Sequence, residues 1–470
     1  MGMDPEPDYT RSAQRGVDVT DLHAESVARG APALSAEQQA WIEAAWDQVD
    51  EPFLAKLVAS MTDIPSPTGA ERPLAEFLVQ QLMLAGLESR YQAIDELQGN
   101  ALGWLAGSGG GADLLLYAPT DTHIAGNLVD DGPWAGPARP DLQPHAAMQE
   151  HAVIGLGAEN PKSYGACILT AARAVRMAGI PLQGNLRVGL CAGGMPSNGP
   201  PSARRHNLGQ GSGCSFMLEQ GFRGDYAIIA KPGWAVAWEE VGLCWFKVST
   251  RGAFNYTGIR HFRATRNAIV DMATVIEALE AWFPEYSAAH TSGLVCPQGS
   301  IGAIHAGWSH SPAFVPASCE LYVDVRISPR TEILDVQREL EAVLAMVKNR
   351  HPGLDVSSEM ILAIPGTTTH PDSWIVRSAI RGWEGVTLRP HVPPKNQSGA
   401  TDANVLRAWG VPTARIGQPR SGDLPYSSEF SMGVADTAGM VELTKVLIHT
   451  VVDTCTRPIN EVNLKVAANG

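Results

Sequence analysis

The sequence predicts an α/β fold, a mixed sheet flanked by helices and interrupted by a smaller inserted α+β unit. Three features carry that expectation. Short, wholly apolar runs such as DLLLYAP alternate with helix-length segments up to about residue 236. Near Ala237 the texture changes to long strands with no adjoining helix. After about residue 364 the earlier alternation returns. Short buried strands between helices mark a sheet covered on both faces.

Taken in order, residues 1–34 read as a loose arm. Ser35 is placed as an N-cap opening one amphipathic helical run to Ile64. The turn Pro65-Ser66-Pro67-Thr68-Gly69 separates it from a helix at about 71–85. Strands are predicted at 113–119, 185–194 and 225–232, with a helix at 163–179 ended by Gly179. In the insert, 241–252, 319–329 and 354–362 read as strands, and 266–283 and 332–350 as amphipathic helices. WIVRSAIRGW, the strand VPTARIG and the helix DTAGMVELTKVLIHTVVDT complete the chain. The expected organisation is an arm (1–34), a first catalytic-type part (35–236), an insert (237–364) and a second catalytic-type part (365–470). No repeat, heptad or low-complexity tract interrupts it.

The chain has 470 residues, 44% hydrophobic and 18% charged, and 35 basic against 49 acidic residues give a net charge of -14. A well-mixed acidic chain is a poor partner for nucleic acid. No stretch approaches the roughly 18 apolar residues that span a membrane. The polar, acidic start is neither a signal nor a transit peptide. Seven Cys are scattered singly, without a C-x-x-C pair. That usage points to a reduced, cytoplasmic protein whose Cys are small buried hydrophobes.

Seven phrases then fall in a telling order. LLLYAPTDTH resembles a strand ending in G-H-x-D. AVIGLGAENPKSYGACILTAARAV resembles G-R-G-x-x-D-x-K-G and its helix. NLRVGLCAGGMPSNG resembles a strand ending in E-E-x-G-S-x-G, and DYAIIAKPG one ending in E-P. NAIVDM, PASCELYVDVRISP and SGATDANVLRAWGVPTARIGQP follow. Together, over about residues 40–455, they resemble the zinc-dependent aminoacylase and exopeptidase family, which includes acetylornithine deacetylase, succinyl-diaminopimelate desuccinylase, allantoate amidohydrolase and glutamate carboxypeptidase. The resemblance implies a zinc-exopeptidase-like mixed sheet with an inserted α+β lid and dimerisation domain.

The family's two Zn²⁺ ions need His and carboxylate ligands, and a Glu acts as base on the bridging water. Carried over residue by residue, the first His falls on Thr120 and the following Asp on Thr122. The bridging Asp falls on Asn160, the catalytic and ligand Glu pair on Gly193 and Gly194, and the strand-end Glu on Lys231. The last His falls on Pro425, with Glu429 retained. Asp121, His123 and Glu159 stand beside ligand positions, but a one-residue slip on a strand turns a side chain to the other face. The resemblance therefore implies a divergent member with no metal ligands and no cofactor.

Lys231 is the leading candidate for chemistry. Desolvation would make it a general base or a fixed cation, and an ion pair with a nearby acid is the plain alternative. Thr120 and Thr122 are candidate nucleophiles or hydrogen-bond partners for it. Asn160 can donate to a carbonyl. Tyr256, where the family has an oxyanion-stabilising His, and the nearby His261 are candidate donors. Asn267, Arg326 and Gly399 match positions that grip a substrate carboxylate, although Asn267 can equally cap a helix and Arg326 form a lid ion pair. His305, Trp308 and His310 fall in a stretch the family uses near the domain junction.

The sequence reading is a hydrolase of an amide C–N bond in a small, carboxylate-bearing substrate, without metal, forming a homodimer through residues 237–364. Two alternatives stay open. One is a non-catalytic binding protein or an inactive subunit of a zinc amidohydrolase. The other is an ordinary dinuclear zinc hydrolase with displaced ligands.

Overall fold

A computed structural model of the chain describes residues 32–197, 205–263, 265–426 and 431–462. Ser35 caps helix α1 (Ala36–Trp46) through a capping box with Gln38. The single helical run expected from Ala36 to Ile64 is in fact two helices. Asp50 accepts from the Phe53 N–H and Pro52 sits in the first turn, so a new helix, α2 (Glu51–Thr62), starts there. Helix α3 (Arg72–Leu84) follows the predicted turn, and α4 (Leu128–Ala135) comes later in the chain.

Among the described residues, six strands form the main sheet: β1 (Glu88–Ala93), β2 (Gly99–Leu105), β3 (Leu114–Pro119), β4 (Leu186–Cys191), β5 (Tyr226–Ala230) and β10 (Thr413–Ile416). Their spatial order is β1-β2-β4-β3-β5-β10. β4, β3, β5 and β10 run parallel, and β1 and β2 add an antiparallel edge. Side chains alternate across the sheet. Leu114, Leu116 and Ala118 face the larger core, shared with helices α5 (Tyr164–Met177), α9 (Trp374–Thr387) and α11 (Thr437–Cys455). Leu115 and Tyr117 face a second core with α6 (Ser212–Glu219) and α10 (Ala403–Ala408). Both faces are covered, as the continuous apolar strands require. This is the mixed, helix-flanked α/β sheet the sequence predicts.

A separate apolar core belongs to the smaller unit. There, β6 (Gly242–Arg251), β7 (Gly299–Ala306), β8 (Ser318–Ile327) and β9 (Asp355–Ile364) form an antiparallel sheet in the order β7-β8-β6-β9. Cys244, Phe246 and Val248 point into the core with α7 (Ala268–His290) and α8 (Ile333–Arg350). Trp245 and Lys247, at the alternate positions, fall on the opposite face. His305 lies in this sheet's edge strand β7, and Trp308 and His310 follow it in the chain. Two short strands, Glu239–Glu240 and Thr367–Thr368, pair antiparallel where the chain enters and leaves this unit.

Candidate functional site

β3, β5 and β10 end at the same edge of the sheet, and Thr120, Lys231 and Gly417 follow them. Open α/β sheets place ligand sites outside the carboxyl ends of parallel strands. Lys231 is only 4% exposed, and its Nζ donates to Asn160 Oδ1 at 3.0 Å. An ammonium only donates, so the contact orients the Asn160 amide. Asn160 Nδ2 then faces the Met432 sulfur at 3.4 Å, a weak acceptor. Burial holds the Lys231 pKa below its ordinary value, and nearby Arg415 adds to this. The carboxylates of Asp402, Asp121 and Glu240 pull the other way.

Those carboxylates are buried as well. Desolvation pushes Asp402 up to about 7, and it accepts from the Tyr117 phenol. Burial also raises Asp121, although the Thr68 hydroxyl donates to it at 2.7 Å and the N–H groups of Gly194 and Met195 at 2.8 and 2.9 Å. Glu71 is pushed to about 8 by desolvation and by the charge of Asp121. It accepts from the N–H groups of Gly69 and Gly193, both at 3.0 Å. The backbone of residues 193–195 is thus a row of donors for two buried acids.

That backbone leaves no room for side chains. Gly193 has φ +67°, and a Cβ there would lie 2.2 Å from Leu208 O. At Gly194 a Cβ would lie 2.3 Å from Pro119 Cβ and 2.7 Å from Asp402 Oδ2. The adjacent glycines are therefore dictated by close packing and, at Gly193, by left-handed backbone.

Thr120 and Thr122 are buried, but their hydroxyls donate to the Cys191 carbonyl at 3.1 Å and the Ile124 carbonyl at 2.9 Å rather than to Lys231. Glu159 is engaged by Arg420 and by the Tyr164 hydroxyl, each at 3.3 Å, and burial raises it to about 7. Burial lowers His123. Glu429 lies outside the described residues.

Arg326 pairs with Asp324 at 2.9 Å and reaches Ser398 O at 3.5 Å, so it joins the smaller sheet to the loop carrying Gly399. A Cβ on Gly399 would lie 3.4 Å from Arg415 Nη1. Asn267 caps α7, its Oδ1 accepting from the Ile269 N–H at 2.9 Å. Tyr256, 50% exposed, packs on Phe314, and the His261 ring lies 3.8 Å from the ring of Phe262. Asn267, Tyr256 and His261 thus make these contacts within the smaller unit, while Lys231 and Asn160 meet at the strand ends.

Sequence reasoning missed Glu71, Arg415 and Glu240. Arg415 and Glu240 form a buried ion pair at 3.4 Å, and Glu240 also accepts from the Thr401 hydroxyl and N–H. The available signal was an Arg inside the apolar strand TARI, since a buried charge requires a partner. Among the described residues, no three His, Cys, Asp or Glu side chains converge to hold a metal ion.

The fold is that of solved peptidase and amidase structures. No family model matches the sequence. Among solved structures, the chain is similar to the dipeptidase Dug1p from Saccharomyces cerevisiae, with TM-score 0.68, 13% identity, and coverage of 89% of this chain and 99% of that one. It is similar to human carnosine dipeptidase 1, with TM-score 0.64, 14% identity and coverage of 91% and 100%. It is also similar to a hydantoinase/carbamoylase family amidase from Burkholderia multivorans, with TM-score 0.57, 14% identity and coverage of 87% and 99%. At these identities the likeness is one of fold.

Proposed function

We propose that the protein hydrolyses an amide C–N bond in a small, carboxylate-bearing substrate, at a strand-end site rebuilt to work without zinc. The observation that carries this reading is the buried contact between Lys231 Nζ and Asn160 Oδ1. Zn²⁺ takes imidazole, thiolate or carboxylate ligands. Where the family has them, this chain has hydroxyls, an amide, an ammonium and two glycines without space for a side chain. That donor set does not fit a dinuclear zinc centre. The peptidase and amidase folds of the similar structures support a hydrolase scaffold.

In this reading, Asn160 Nδ2 donates to the substrate carbonyl and polarises it. Lys231 in its neutral form, which burial favours by lowering its pKa, takes a proton from water as the water oxygen bonds to the carbonyl carbon. As the C–N bond breaks, the Lys231 ammonium returns the proton to the leaving nitrogen, giving a carboxylic acid and an amine. The hydroxyl protons of Thr120 and Thr122 are committed to carbonyls, so water is the nucleophile. Arg326 and the Gly399 loop hold the substrate carboxylate. Incubation of metal-free protein with an amide panel in excess chelator, followed by mass spectrometry, tests the proposal. Turnover that survives chelation and is lost in Lys231→Met supports it. Turnover that requires added Zn²⁺ refutes it.

A binding protein without turnover is favoured by one observation: neither Thr hydroxyl is activated by Lys231. A ligand recovered unchanged from the same incubation supports that reading.

Residues 237–364 are proposed as the lid and as the contact for a second copy of the chain. Phe254, Phe262 and Trp308 are 70%, 77% and 72% exposed there. Large exposed aromatics grouped on one unit suit a protein interface. A second copy would then present Tyr256 and His261 to the cleft, and light scattering of the purified chain tests the dimer. The seven Cys are unpaired, which supports a reducing, cytoplasmic location. Among the described residues, no helix is long and apolar enough to cross a membrane.

A further inference from the structure

The open face of the smaller sheet lines a cavity of about 650 Å³, bounded on the other side by Pro196 and Ser197. Cavities of this size take whole small molecules. Its walls include Trp245 and Lys247 from β6, Tyr322 and Asp324 from β8, and His305 from β7. Trp245 sits opposite Asp324, and Lys247 opposite Tyr322. Trp245 and Tyr322 are therefore diagonal neighbours on one face, side by side, and the His305 ring lies 5.4 Å from that of Tyr322. Together they make an aromatic platform.

The charges around the platform are already matched. Lys247 Nζ lies 2.6 Å from Glu359, and Asp324 lies 2.9 Å from Arg326. An uncharged aryl group can stack on these π faces and against Ile361 without displacing either pair. Pro196 also borders a narrow space of about 20 Å³ lined by Gly194, Thr401 and Asp402. Pro196 is thus a wall common to the platform's cavity and to the space beside Gly194 and Asp402.

We infer that the substrate carries an uncharged aromatic group, which the lid binds on Trp245 and Tyr322 while the amide reaches the strand-end site. The inference rests on the amide-hydrolase reading only for the amide. The platform's preference for aryl groups stands or falls on binding alone.

Calorimetric titration with N-benzoylglycine and N-acetylglycine, alongside mass-spectrometric turnover of both, tests it. Burying one phenyl ring favours the benzoyl compound by about tenfold or more in Kd. Trp245→Ala is expected to reduce that preference to about twofold. Gly302→Leu grows a side chain into the cavity from a position where a Cβ has no neighbour closer than 3.9 Å. It is expected to weaken benzoyl binding while leaving the melting temperature unchanged, so the test survives if Trp245→Ala fails to fold. Equal binding of the two compounds, or a preference that persists in both variants, overturns the inference. Benzoyl-selective binding without turnover overturns the hydrolase reading and leaves this one standing. Equal turnover of both compounds, with equal affinity, does the reverse.

Discussion

The Lys231 ammonium and the Asn160 amide form one buried hydrogen-bonded pair 3.0 Å apart. The pair ties β5 to the turn that precedes α5. In the reaction proposed here the two residues divide the work, since Lys231 moves the proton and Asn160 polarises the carbonyl. Replacing Asn160 with Asp puts a carboxylate against the ammonium. An opposite charge at this distance raises a Lys pKa by about 1–3 units, which lowers the neutral fraction at a given pH. Asn160→Asp is expected to shift the rising limb of the pH–rate profile upward by at least about one unit and to lower the rate at pH 7 by about tenfold or more. A profile with an unmoved limb would remove Lys231 as the base.

Gly193 and Gly194 give a stability prediction that is independent of substrate. Gly193→Ala forces an L side chain into left-handed backbone and against Leu208 O, and Gly194→Ala drives a methyl into Pro119 and Asp402. Strain and overpacking of this kind cost about 2–4 kcal/mol. Each variant is expected to unfold at clearly lower urea concentration. For the same reason, Gly193→Glu combined with Gly194→Glu is expected to yield unstable protein that gains no zinc by elemental analysis. A stable double variant with stoichiometric zinc would show that this loop can still accept the family's ligands.

What could be read from the sequence follows from where the physics lies in the residue pattern. LLLYAP is apolar at every position because both of its faces are buried, so β3 was legible. ESRYQA is an edge strand with half its residues exposed, and it carries no such signal. The break between α1 and α2 was written in Asp50-Glu51-Pro52 but masked by helical spacing on both sides. At the site, the strand-end position of Lys231 and the place of Asn160 before α5 came from the order of motifs. The holding of Glu71 and Asp121 did not, because main-chain N–H groups of residues 193–195 do it and side-chain identity does not register them. Whether Asn267 caps or binds, and whether Arg326 pairs or binds, depended on neighbours such as Ile269 and Asp324, which only the fold brings into place.

The buried acids make stability depend on pH. Glu71, Asp402 and Glu159 are held at about 8, 7 and 7, against ordinary values of 4.5, 3.8 and 4.5. Between those limits the folded chain keeps protons that the unfolded chain has lost, so stability falls as pH rises. His449, depressed from 6.5 to about 4, and Lys162, depressed from 10.5 to about 7, act in the opposite direction within their own windows. Three acids outweigh one His between about pH 4.5 and 6.5, and above pH 7 Lys162 offsets Glu71. The urea midpoint is therefore expected to fall from pH 5 to pH 7 and to level off above it. Glu71→Gln keeps an acceptor for the Gly69 and Gly193 N–H groups and removes the ionisation. It is expected to flatten the slope by up to about 1.4 kcal/mol per pH unit and to raise stability at pH 8. An unchanged slope in that variant would exclude Glu71 as a contributor.

The paired strands joining the two sheets hold two adjacent glutamates with different partners. Glu239 binds Arg330 through two hydrogen bonds, at 3.0 and 2.8 Å, and accepts from the Leu294 N–H at 2.6 Å, so it fastens the smaller unit. Glu240 accepts from Thr401 and pairs with Arg415, so it fastens the strand-end loop. Glu239→Gln is expected to speed amide hydrogen exchange around residues 292–295 while leaving 399–404 protected. Its stability cost is modest, about 1 kcal/mol, because Arg330 is half exposed and returns to water. Glu240→Gln is expected to do the opposite, loosening 399–404 and costing more, because Arg415 would be left buried without its carboxylate. In turnover, the first change should raise KM with little effect on kcat, since it alters how the lid sits. The second should lower kcat, since Arg415 and Glu240 both set the charge around Lys231. Identical exchange maps for the two variants would mean that the hinge moves as one piece and that the two glutamates do not act separately.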